Sequence, residues 1–160
     1  MTLREPVHLE DPRTIGPVHF IAIGGAGMSG VARAYAELGA EVSGSDQVNS
    51  TRLESLSAMG VRTWVGHDPS HVHGARTVVV SSAIHDDNPE LVEARRLGLR
   101  IWHRSAALAA LMLGRQGVSV AGTHGKTTTS AIIASILTDA GMDPSYVIGS
   151  PLATSGRSAH

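Results

Sequence analysis

The chain has 160 residues, with 13 Lys and Arg against 14 Asp and Glu, a net charge of −1 and no cysteine. That balance, without any run of basic residues, offers nothing to a nucleic acid or an anionic membrane, and the missing thiols rule out disulfides and thiolate metal sites. The composition fits a reducing compartment, so the expected location is the cytoplasm. Glycine is abundant, with 18 residues, and only 3% of the chain is aromatic, which suits tight backbone turns rather than a base-stacking platform. No apolar run reaches the length of a membrane span, and the N-terminus lacks a signal-type apolar stretch. The nine histidines show no H-E-x-x-H or comparable spacing, so they are read as mostly surface residues and no metal site is assigned to them.

In chain order, residues 1–16 are polar and proline-containing, and a loose arm is expected there. Val18–Ile23 is a short apolar run of buried-strand type. It enters Gly24-Gly-Ala-Gly-Met-Ser-Gly30, after which a helix is predicted over Val31–Leu38, stopping at Gly39. Glu41–Gly44 reads as a second strand, ending in Ser45-Asp46; Thr51–Met59 is a helix closed by Gly60; Val61–Val65 is a third strand. Arg76–Ser81, through Thr77-Val-Val-Val80, is a fourth strand, and Asn88-Pro-Glu90 starts a helix that runs to Leu97 and stops at Gly98. Leu99–Trp102 is a fifth strand, and Ser105 begins a helix ending near Gly114. Strands alternating with helices at these lengths predict right-handed βαβ units and a parallel sheet. The expected fold class is α/β: a Rossmann-like parallel-sheet domain over 17–113, then from 114 to 160 the start of a P-loop ATP-binding α/β domain. Gly114-Arg-Gln-Gly117 would be the hinge.

Two stretches carry the chemistry. Gly25-Ala-Gly27-Met-Ser-Gly30 is a full G-x-G-x-x-G between strand and helix, in which the first glycine permits the turn and the second admits a diphosphate to the backbone. The third glycine lets helix and strand pack closely. Asp46 follows about 20 residues on, where the dinucleotide pattern expects a ribose contact. By itself this fits an NAD(P)-binding domain, but any nucleotide diphosphate satisfies such a loop.

The second stretch is Ala121-Gly-Thr-His-Gly-Lys-Thr-Thr-Thr129. It lies between the apolar run Val118–Ala121, expected as a strand, and Ala131–Leu137, expected as a helix. Such a turn aims backbone N–H groups at phosphate, while a lysine adds charge and a following hydroxyl can hold Mg²⁺. The strict P-loop pattern fails, because Val120 stands where it requires glycine. A dehydrogenase needs only the first loop and a kinase only the second. Both together suggest an enzyme that holds a nucleotide-linked substrate and ATP.

Ile21-Ala-Ile-Gly-Gly-Ala-Gly-Met-Ser-Gly30, Ser43-Gly-Ser-Asp46, Ser81-Ser-Ala-Ile84 with Asn88-Pro-Glu90, and Gly122-Thr-His-Gly-Lys-Thr-Thr128 together resemble the Mur ligases, in family order from about Val18 onward. His124 in place of asparagine resembles the alanine-adding branch or its tripeptide-recycling relative, and the Gly-Gly-Ala-Gly-Met-Ser-Gly loop favours the former. The resemblance implies a UDP-binding domain with Gly25, Ala26, Gly27, Met28, Ser29 and Gly30 around the diphosphate and Asp46 near the uridine. It further implies that Ser82, Ala83, His103 and Arg104 line the same crevice. Gly122, Thr123, His124, Gly125, Lys126, Thr127 and Thr128 would bind ATP, with Lys126 the catalytic cation on the β/γ phosphates and Thr127 a Mg²⁺ ligand. The implied reaction is ATP-dependent joining of L-alanine to the lactyl carboxylate of UDP-N-acetylmuramate through an acyl phosphate, in peptidoglycan synthesis.

Family ligases are much longer. The chain is therefore expected to be an N-terminal fragment that binds the muramyl nucleotide weakly and does not ligate. Tyr146–Ile148 is expected as one further strand, Ser150–His160 as a polar stretch without a closing element, and Ile132, Ile133, Ile136 and Leu137 as a patch favouring association. A Rossmann module for NAD(P) and a non-catalytic UDP-sugar sensor are the competing readings.

Overall fold

A computed structural model describes residues 7–160. Five strands, β1 (Val18–Ile21), β2 (Val42–Asp46), β3 (Arg62–Val65), β4 (Thr77–Val80) and β5 (Arg100–His103), form one parallel sheet in the order β3-β2-β1-β4-β5. The order reverses between β1 and β4, and in open α/β sheets the crevice beyond the strand C-termini at that reversal is where ligands bind.

The helices are α1 (Ala26–Glu37), α2 (Thr51–Ala58), α3 (Pro89–Arg96), α4 (Arg104–Ala110) and α5 (Lys126–Asp139), with a 3₁₀ turn at Pro69–Val72. Their starts follow from local chemistry. The Ser50 hydroxyl accepts the Leu53 N–H, and the Asn88 side chain accepts the N–H groups of Glu90 and Leu91 ahead of Pro89. Gly60 and Gly98, both with positive φ, close α2 and α3.

The period-2 alternation of β1 divides its side chains between the two faces. Val18 and Phe20 join Val79 and Trp102 under Val31 and Tyr35 of α1, Leu53 and Leu56 of α2, and Ala107 and Ala110 of α4. Phe20 meets Tyr35 edge-on at 5.6 Å, and the Tyr35 hydroxyl donates to the Ala107 carbonyl at 2.9 Å, joining α1 to α4. On the opposite face Ile21, Val78 and Val80 pack against Val72, Leu91 and Ala94.

Several elements depart from expectation. α1 begins at Ala26, not Val31, so the second and third glycines of the first loop already lie in the helix. α4 starts one residue early and ends at Ala110, because Leu111, Met112 and Leu113 bond three residues back and continue as turns. Val118–Ala121 is no strand: no neighbouring strand pairs with it among the described residues, and Val118 is 70% exposed. Tyr146–Ile148 forms only a single antiparallel bridge, Val147 to Ala159, rather than a strand. That bridge does close the tail, since Tyr146 and His160 exchange backbone bonds and Leu152 and Ala159 are buried. In the expected arm, Met1–Pro6 lie outside the described residues, while Ile15 belongs to the core.

Candidate functional site: a phosphate crevice at the sheet reversal

The chain leaves β1 through Ala22, whose φ of 60° is left-handed and costs a non-glycine residue about 1–3 kcal/mol. Asp46 supports this turn: one carboxylate oxygen accepts the Gly24 N–H at 2.9 Å and the other the Val48 N–H at 3.1 Å. Its carboxylate is thus engaged in shaping the loop, a role the sequence pattern did not indicate. Gly25 caps α1 with no side-chain bond, and its carbonyl takes the N–H groups of Met28 and Ser29. The N–H groups of Ala26 and Gly27 have no protein acceptor among the described residues, which leaves the positive end of α1 open to an anion.

A cation stands over this end. A β-carbon placed on Gly27 would lie 1.9 Å from Nη1 of Arg104 and 3.0 Å from its Cζ, so the guanidinium rests directly on the glycine backbone. Only a residue without a side chain admits it. His103, at the end of β5, accepts the Ser105 N–H on Nδ1 at 3.3 Å and lies 2.9 Å from the Ser105 hydroxyl. The proton of its neutral form therefore sits on Nε2, which is buried and has no partner among the described residues. Burial, and then the Arg104 charge, push the His103 pKa down.

Ser82 and Ala83 occupy the exposed turn after β4 across the sheet reversal. The parallel sheet thus puts the turn Ala22–Gly25, the first turn of α1, Ser82, Ala83, His103 and Arg104 at the same end, beyond the strand C-termini. Met28 and Ser29 enter differently from expectation. The Met28 side chain is buried in the core, and the Ser29 hydroxyl donates to the Ala26 carbonyl, so both side chains are committed to the fold. Gly30 faces the tail: a β-carbon there would lie 3.3 Å from Val147 and 3.6 Å from Ala159.

The second loop is exposed from Gly122 to Thr128. Gly125, left-handed at φ 81°, caps α5 without a side-chain bond, and the Lys126 ammonium folds back to donate to the carbonyls of Gly122 and Thr123. His124 is exposed, and the Thr127 hydroxyl lies 3.2 Å from where a Gly149 side chain would begin. Uncapped N–H groups, a lysine over the turn and a hydroxyl one residue on are the donor set a polyphosphate with a divalent cation requires, so these residues fit ATP and Mg²⁺.

A further cluster lies on the other face of the sheet. Glu90 of α3 is fully buried. Its carboxylate accepts from the Ser45 hydroxyl at 2.5 Å and lies 2.7 Å from His71 Nδ1, 3.1 Å from His67 Nδ1 and 3.7 Å from His19 Nε2. Burial pushes the carboxyl up, but His19, the Ser45 hydroxyl and His71 outweigh it and bring it down to about 2. His19, His67 and His71 are therefore interior residues, not the surface histidines expected. The signal was available: a histidine and two serines alternate with apolar residues inside β1 and β2, where buried polar groups need partners.

A hollow of about 270 Å³, lined by Pro17, Glu41, Val42 and Gly74 among others, opens at the other end of the sheet, where the strands begin. It takes no part in this crevice.

The family described as "Mur ligase family, catalytic domain" matches residues 17–116. The chain belongs to the Mur ligase family. Among individual Mur ligases, it is 74% identical over 160 residues to the UDP-N-acetylmuramate–L-alanine ligase of Cutibacterium acnes, covering all of this chain and 34% of that protein. It is 55% identical to the ligase of the same name from Thermobifida fusca, covering 99% of this chain and 34% of the relative. The crystal structure of UDP-N-acetylmuramate-alanine ligase MurC from Thermotoga maritima superimposes with a TM-score of 0.84 at 30% identity, covering 90% of this chain and 34% of that one. The chain thus spans about a third of the length of the curated relatives it matches. No described helix is long and apolar enough to cross a membrane.

Proposed function

We propose that this chain carries the nucleotide-substrate site and the ATP loop of a ligase that joins L-alanine to the carboxylate of UDP-N-acetylmuramate. The names of its relatives support the reaction. The observation that carries the site is the Arg104 guanidinium seated on Gly27, above the uncapped start of α1. A diphosphate there would receive the N–H groups of Ala26 and Gly27, the helix dipole and the Arg104 cation together, and charge-assisted bonds of this kind contribute about 1.5–3 kcal/mol each.

His103 Nε2 is a buried donor without a partner among the described residues, and Ser82 and Ala83 would close the opposite lip. Asp46 borders the nucleoside end and holds the loop in shape. In this reading 17–113 is the substrate-binding domain and 114–160 belongs to the ATP-binding domain. Lys126 would leave the carbonyls of Gly122 and Thr123 for the phosphates, with Thr127 toward the metal ion. ATP with Mg²⁺ supplies the phosphoryl group that activates the carboxylate; the residues here position and neutralise it.

Titration calorimetry with UDP-N-acetylmuramate, UDP and NAD⁺ tests the reading. Binding of both uridine nucleotides without NAD⁺ binding is expected. Binding of NAD⁺ alone would overturn it in favour of a dinucleotide domain.

A further inference from the structure

We infer that Glu90 is a positioning residue for the diphosphate loop, acting through the C-terminal end of β2. The inference rests on reading the first glycine loop as the nucleotide cradle. Three contacts make the connection. Glu90 Oε2 accepts the Ser45 hydroxyl at 2.5 Å. The Ser45 carbonyl accepts the Ile23 N–H at 2.9 Å. The next residue, Asp46, accepts the Gly24 N–H at 2.9 Å.

Ile23 and Gly24 are the two residues between the strained Ala22 and the helix cap Gly25, so the whole turn hangs on the end of β2. Glu90 holds that end from the far side of the sheet.

A buried carboxylate is costly unless its acceptor positions are filled. Ser45 from β2, His67 from the β3 exit, His71 from the 3₁₀ turn and His19 from β1 face it from four segments of the chain. An apolar side chain would fill the same volume more cheaply, but it would impose no orientation on the Ser45 hydroxyl. Glu90 also stands in the first turn of α3, the helix that follows the β4–α3 connection carrying Ser82 and Ala83. It therefore ties the β4–α3 lip of the crevice to the β1–α1 lip.

Glu90→Gln and Ser45→Ala test the connection. The first keeps the shape and removes the charge; the second keeps Glu90 with its imidazoles and cuts the link. Amide exchange measured by NMR in the folded protein is the decisive readout. In both variants the Ile23 and Gly24 amides are expected to exchange about tenfold faster while a central-sheet amide such as Val79 stays near its original rate. UDP affinity should fall several-fold at a temperature where circular dichroism shows full folding.

Equal acceleration at Val79, or unchanged exchange at Ile23 and Gly24, would overturn the inference and leave Glu90 a stability residue. Should Glu90→Gln fail to fold, Ser45→Ala decides alone. Should the unmodified chain not bind UDP, the nucleotide reading falls, while the exchange rates still decide the connection.

Discussion

Replacing Gly27 with alanine should move stability and affinity in opposite directions. The new methyl would sit 1.9 Å from Arg104 Nη1, where ordinary contact is about 3.5–4 Å, so the guanidinium must retreat by about 2 Å. It can do so, because the obstructing atoms are the free end of a flexible side chain. Gly27 lies within α1, and alanine there gains a few tenths to about 1 kcal/mol of helix stability. Displacing the cation from the diphosphate should cost one charge-assisted bond, about 1.5–3 kcal/mol, or about 10- to 150-fold in affinity. Calorimetric titration with UDP-N-acetylmuramate, paired with thermal melts of Gly27→Ala, Arg104→Ala and the double variant, separates the terms. The two single losses should overlap in the double variant, since both remove the same cation. Unchanged affinity in Gly27→Ala, or losses that simply add, would refute the role given to the Arg104–Gly27 contact.

Acid should expose the Glu90 cluster. With its carboxyl held at about 2 against an ordinary 4.5, Glu90 contributes about 3 kcal/mol that is fully present above pH 4.5 and lost as the pH falls toward 2. Urea unfolding at pH 7 and pH 3 should therefore show a larger acid loss in the unmodified chain than in Glu90→Gln; parallel losses would contradict the assignment. Gly44→Ala should destabilise by about 1–3 kcal/mol through overpacking, because its methyl would meet the Phe20 carbonyl and Ile23 Cδ1 at 2.6 Å. A denaturant midpoint unchanged from the parent would count against that packing. Lys126→Met should abolish Mg²⁺-ATP binding by calorimetry while UDP affinity stays the same, and joint loss of both would show that the two loops are not separate sites.

The sheet was legible because each βαβ unit declares itself locally, through apolar runs of strand length, Ser or Asn at helix starts and glycine at helix stops. Its strand order was not legible in the same way, because βαβ units specify parallel neighbours but not which strand lies at the reversal. Val118–Ala121 misled because a β-rich run becomes a strand only where partner strands accept its backbone bonds, and the described residues provide none. The start of α1 was placed late because glycine has poor helix propensity, whereas here the cap and core contacts of Met28 override it. Arg104 stood out only as a basic residue at a strand end. Its position over Gly27 brings together two segments far apart in the chain, which no local pattern encodes. Glu90 was hidden by its own neighbourhood: after Asn88-Pro89 an acid reads locally as a helix-start residue, and the family stretch it belongs to gave it no role.

The seat that Gly30 provides for Val147 and Ala159 binds the freedom of one region to choices made in another. The same tail lays Ile148 and Leu152 against Ala134 of α5, so the helix that follows one glycine loop leans, through a few side chains, on the helix that follows the other. Substitutions at position 30 should therefore be accepted only alongside smaller residues at 147 or 159. Evolutionary drift in the two loops would then be correlated even though they share no catalytic atom.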